Sequence, residues 1–102
     1  MIRCISQLAP SATTQTLLVS GIDLVDTDIN SIIVCNRGTA TTFRINIQLL
    51  NDTLATKQYL VYDCPIIAND TICLTYPIGL VKGDRMYVYA GSANLTFSVY
   101  AR

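Results

Sequence analysis

The sequence predicts an all-β fold, a single antiparallel β-sandwich, jelly-roll-like, of about eight short strands. Three observations carry this. Apolar residues recur with a period of two over most of the chain. Turn-forming residues interrupt them at a spacing of roughly 8–12 residues, as in sandwiches and barrels. No stretch carries the 3.6-residue periodicity of a helix. At 102 residues the chain holds one domain, 1–102.

Ile2 to Leu8 and Thr13 to Ser20 read as the first two strands. Ile22 to Asn30 contains Asp23, Asp26 and Asp28 and reads as a loop. Ser31 to Cys35 is a third strand, ending at Asn36-Arg37-Gly38, which predicts a hairpin turn into the next. That next strand is the clearest: Phe43-Arg44-Ile45-Asn46-Ile47-Gln48-Leu49 has apolar odd positions and polar even ones. One face packs and the other meets water. Asn51-Asp52 ends it. Lys57 to Asp63 is rich in aromatic and branched residues and is limited by Pro65. Asn69-Asp70 turns the chain into Thr71 to Thr75. Pro77-Ile78-Gly79 reads as a loop and Lys82-Gly83-Asp84 as a tight turn. Arg85 to Ala90, a Gly91-Ser92 turn and Leu95 to Tyr100 complete the chain. Alternation then places Phe43, Ile45, Ile47, Ile72, Leu74, Met86, Val88, Leu95, Phe97 and Val99 inward.

Composition narrows the function. Seven Lys and Arg balance seven acids, all of them Asp, and the chain has no His, Glu or Trp. Without His, the Ser-His-Asp and Cys-His pairs and the commonest metal ligand are missing. Without Glu, so are paired-Glu hydrolase sites. The expectation is a protein that is not an enzyme and binds no cofactor. Zero net charge supplies no field for nucleic acid or an anionic membrane, and Arg37, Arg44, Lys57, Lys82 and Arg85 are scattered. No window reaches the 18 or so apolar residues of a membrane span, and the first residues do not read as a signal peptide.

Cys4, Cys35, Cys64 and Cys73 form no CxxC motif, which disfavours a zinc ribbon or a thioredoxin-type centre. A reducing compartment predicts four free thiols that act as small hydrophobes. Cys64 and Cys73 flank the Ile66 to Asp70 turn and could be cross-strand neighbours. The Asp23, Asp26 and Asp28 group could offer oxygens to Ca²⁺, but lacks the spacing, Gly and closing Glu of an EF-hand loop. It reads as a solvated turn. Three Asn-x-Thr sequons, at Asn51, Asn69 and Asn94, read as turn chemistry.

Tyrosine is the enriched interaction residue, six against two Phe. With Met86, Val88 and Ala90 inward, Tyr87 and Tyr89 face outward, and Tyr100 does so on the last strand. An outward Tyr suits an interface, having a large area and a polar tip. The alternative is cross-strand packing. Tyr87, Tyr89 and Tyr100 are therefore the candidate interface residues.

Several segments together resemble small virion proteins of tailed bacteriophages. They are Ile33-Val34-Cys35-Asn36-Arg37-Gly38 with Thr41 to Ile45, Tyr59 to Asp63, Pro65 to Thr71, Leu80 to Asp84, Val88-Tyr89-Ala90 and Phe97-Ser98-Val99. The resemblance runs from about Ile32 to Tyr100 and is one of strands and turns, with no catalytic signature. The four Cys depart from many of its look-alikes. It implies a β-sandwich module, commonly trimeric, synthesised in the host cytoplasm and located in the virion. Its partners would be the major capsid protein or other virion proteins. The first expectation is a capsid decoration (cement) protein acting through buried area and strand-edge pairing. A neck, tail or fibre component and a cellular ligand-binding sandwich are the alternatives. Short length, with no repeat for a fibre shaft, tilts the expectation to decoration.

Overall fold

The computed structural model describes residues 1–20, 27–50, 52 and 58–102. Nine strands make up the regular structure of these residues. They are β1 (Arg3–Leu8), β2 (Thr16–Ser20), β3 (Thr27–Asn36), β4 (Thr41–Gln48), β5 (Tyr59–Ile66), β6 (Thr71–Leu74), β7 (Ile78–Leu80), β8 (Arg85–Ala90) and β9 (Leu95–Ala101). The fold class is the predicted one. One sheet has the order β1-β9-β3-β6, with β7 also on β3, and the other has the order β2-β8-β4-β5. Every strand pairing is antiparallel. The chain crosses between sheets at every connection except β4–β5 and β6–β7. This interleaving of two Greek keys is the jelly-roll arrangement.

Alternation drives the assembly. Phe43, Ile45, Met86, Val88, Leu95, Phe97 and Val99 are buried in the common core, and Ile47, Ile72 and Leu74 pack against it, as the period-two reading predicts. The Phe43 and Phe97 rings, one from each sheet, meet edge to face with centroids 5.9 Å apart. That contact ties the layers together at mid-sandwich.

The structure departs from the sequence reading at the connections. Asn36-Arg37-Gly38 is no hairpin, because β3 and β4 lie in different sheets and the segment arches between them. Asn36 is buried at this arch. Its Nδ2 reaches the carbonyls of Thr39, Ile66 and Ile67, and its Oδ1 accepts the Gly38 N–H at 2.9 Å. Pro65 does not end its strand: β5 runs to Ile66. As an edge strand, β5 tolerates a missing N–H on its open side. Ile78 to Leu80 is strand, pairing Thr27 to Ile29, where a loop was expected. Thr27 to Asn30 likewise opens β3, while Ile22 to Asp26 lie outside the described residues. The long β3 thus pairs β6 along one half and β7 along the other. Pro77 separates them, since it cannot donate and biases Tyr76 away from a smooth continuation.

Candidate functional site

The outer face of the β2-β8-β4-β5 sheet gathers the interaction chemistry. On β8, Met86, Val88 and Ala90 are buried, so Arg85, Tyr87 and Tyr89 stand on the outer face as expected. On β4 the same rule sends Arg44, Asn46 and Gln48 outward. The register sets Tyr89 opposite Arg44, Tyr87 opposite Asn46, and Arg85 opposite Gln48. Leu17 of β2 flanks Tyr87, and Tyr59 of β5 flanks Asn46.

A β-bulge on β5 completes the cluster. Between the Phe43–Cys64 and Ile45–Val61 pairs the register shifts, leaving Tyr62 and Asp63 together opposite Arg44. Asp63 takes φ of 49°, a left-handed conformation that Asp tolerates better than most residues. The bulge brings both side chains to the same cation, as bulges re-aim residues. The Arg44 Nε donates to Asp63 Oδ1 at 2.6 Å and its Nη2 to Oδ2 at 3.3 Å. The guanidinium carbon lies 4.4 Å from the Tyr62 ring centre and 4.5 Å from that of Tyr89, a cation held between two aromatic faces. Tyr59 stands edge to face with Tyr62 at 4.9 Å. The bond to Asp63 pushes the Arg44 pKa further up, against a smaller lowering by desolvation. The guanidinium is permanently charged.

Two donors on this face lack acceptors. Asn46 is 1% exposed, and its Oδ1 accepts from Gln15 Nε2 at 2.8 Å. Its Nδ2 has no partner, and neither has the buried Nε of Arg85. Such groups are rare in folded proteins and call for an explanation.

The three candidate tyrosines do not share a surface. Tyr100 pairs with Cys4 and Ser31 in the β1-β9-β3-β6 sheet and belongs to that sheet's outer face, with the sandwich between it and Tyr87 and Tyr89. Sequence reading missed Arg44, Tyr59, Tyr62 and Asp63 as their companions. The outward beats of β4 announced Arg44 and Asn46. The bulge that adds Tyr62 and Asp63 has no sequence signal as clear.

All four cysteines are free. Cys64 packs against the core opposite Phe43, whereas Cys73 is exposed and pairs with Ile33 in the other sheet. They are not cross-strand neighbours, because the turn between them crosses the sandwich. Cys4 is also exposed, so only part of the expectation of thiols packed as small hydrophobes fits the structure. Asp28 lies on β3 opposite Gly79, with Asp23 and Asp26 outside the described residues. Among the described residues no three metal-ligating side chains converge.

Each sheet edge is interrupted. Register shifts break β1 between Cys4 and Ser6, β2 between Leu17 and Val19, and β5 along its pairing with β4. β5 also carries Pro65, and the fourth edge is split into β6 and β7. No family model matches the chain, and no curated protein and no solved structure matches it.

Proposed function

We propose that this chain is a capsid decoration protein of a tailed bacteriophage, a non-enzymatic subunit that stabilises the shell through protein–protein contacts. The observation that carries the reading is the tyrosine and arginine face on a small jelly roll. Tyr and Arg are the side chains that dominate binding hot spots, and jelly rolls recur in viral shells as well as in lectin domains. The segments resembling phage virion proteins support the same reading. Interrupted edges disfavour pairing with a foreign strand, so binding runs through the sheet face, with Tyr87 and Tyr89 as contacts. Three copies associating into a trimer would multiply weak contacts at each lattice site. Quantitative mass spectrometry of purified particles of the source virus tests the proposal. Hundreds of copies per particle are expected; about a dozen would indicate a neck or tail part, and absence would refute a virion role.

A further inference from the structure

We propose that copies of this chain associate by exchanging β1, each seating its own β1 on the β9 edge of a neighbouring copy. The inference concerns contact of the chain with itself and does not depend on the decoration reading.

The seat is defined by the strand that fills it. β1 pairs with β9 from Arg3 opposite Ala101 to Leu8 opposite Phe97. Ile5 and Leu8 pack against the core. The Ser6 hydroxyl donates to the Leu18 carbonyl at 2.6 Å, and Gln7 Nε2 donates to Ser98 Oγ at 3.0 Å. β1 thereby closes one side of the sandwich, linking β9 of one sheet to β2 of the other. Its hold is weak all the same. No residue of β1 is fully buried, its pairing is broken between Cys4 and Ser6, and among the described residues it pairs only with β9. Strands with so little buried surface open at low cost. An opened β1 leaves the β9 edge unpaired beside Phe97 and Val99, and the sequence that fits that edge is β1 of another copy.

The connection supplies the bias. Residues 9–15 join β1 to β2, and Thr13 within them has φ of 53°. A β-branched residue in this left-handed region is strained. It is held there because its N–H donates to the Ala90 carbonyl at 2.8 Å and Ala12 bridges Ala90. Closed and exchanged forms share the contacts of β1 itself, so they differ at this connection and in the entropy of association. Straightening the connection returns Thr13 to the extended region that β-branched residues favour. Fully extended, residues 9–15 span about 23 Å at about 3.3 Å each. That is shorter than the 37 Å long axis of one molecule, so donor and recipient sit side by side. Exchange refills an existing seat and adds no strand outside the interrupted edges, which disfavour such addition.

Cys4 stands opposite Tyr100 in the register, so Tyr100→Cys introduces a thiol that reports which chain supplies β1. Cys73→Ser in the same chain removes the other exposed thiol. The full chain is concentrated until sedimentation shows oligomers, oxidised mildly, and separated without reduction. Covalent dimers and trimers joined between positions 4 and 100 are expected, with the linkage read by mass spectrometry. A bond confined to single chains within those oligomers, or Cys4 joined to Cys4, would overturn the exchange. So would a wild-type chain that stays monomeric at millimolar concentration. A second pair of variants leaves β1 and β9 untouched, with circular dichroism to confirm folding. Thr13→Gly adopts the left-handed conformation without strain and should weaken self-association about fivefold or more. Thr13→Pro cannot adopt it and should strengthen self-association. Association equal to wild type in both would overturn the proposal. None of these measurements involves virus particles, so a negative result leaves decoration standing.

Discussion

At the residue scale, stability concentrates in a few side chains of opposite character. Phe97 is fully buried and its ring meets Phe43 across the sandwich. Phe97→Ala should cost about 3–5 kcal/mol, by lost transfer energy and the cavity left behind. Denaturant unfolding measures it, and a loss below about 1 kcal/mol would place the ring outside the core. Asn36 is as well buried but works through hydrogen bonds. It serves three carbonyls from two connections, and its own backbone N–H donates to Asp70 O at 2.9 Å. Asn36→Ala should cost about 2–3 kcal/mol, because carbonyls at a buried arch lose their donor. Asn36→Asp should be no better, since a carboxylate accepts where donation is needed. Equal stability of wild type and Asn36→Ala would show that water replaces the amide.

At the scale of elements, the strands differ in how they meet solvent. The edge formed by β6 and β7 is divided at Pro77, and Pro77→Val restores the missing N–H. A longer continuous edge should then form, and edge-to-edge aggregation should quicken. Light scattering during incubation at fixed concentration follows it; unchanged scattering would mean that β3 itself, whose pairing with β9 shifts between Ile29 and Ser31, holds the break. The thiols divide by element too. Cys4 on β1 and Cys73 on β6 are exposed, while Cys35 and Cys64 are partly covered. A thiol reagent should modify the first two in native protein well before the others. Denatured, unreduced protein should release four thiols, and recovery of two or none would mean disulfides.

At the scale of the molecule, the two outer faces differ in chemistry. One carries Tyr59, Tyr62 and Tyr89 around Arg44, with Tyr87 opposite Asn46, and the other carries Tyr100 beside Cys4 and Ser31. The double variant Tyr87→Ser with Tyr89→Ser should fold normally but weaken shell binding or self-association by about 30-fold, equivalent to about 2 kcal/mol. Tyr100→Ser should leave binding near wild type, because it changes the opposite face. Ultracentrifugation and coating of particles read the two effects. Loss of binding in Tyr100→Ser alone would move the contact to the other sheet.

The sequence by itself determined the fold class, the inward residues and the outward placing of Tyr87 and Tyr89. The physical reason is local: side chains alternate across a strand, so a period-two pattern assigns each residue a face without knowledge of the partner strand. Turn residues marked the connections for a similar reason, since their backbone preferences are their own. Which strands pair was decided by the tertiary structure. Asn36-Arg37-Gly38 reverses the chain equally well in a hairpin or in an arch between sheets, and only burying two apolar faces against each other selects the arch. The same packing set Tyr100 apart from the other tyrosines. It also settled the register that places Arg44 between Tyr62 and Tyr89, because cross-strand neighbours are made by non-local pairing that no short stretch of sequence encodes.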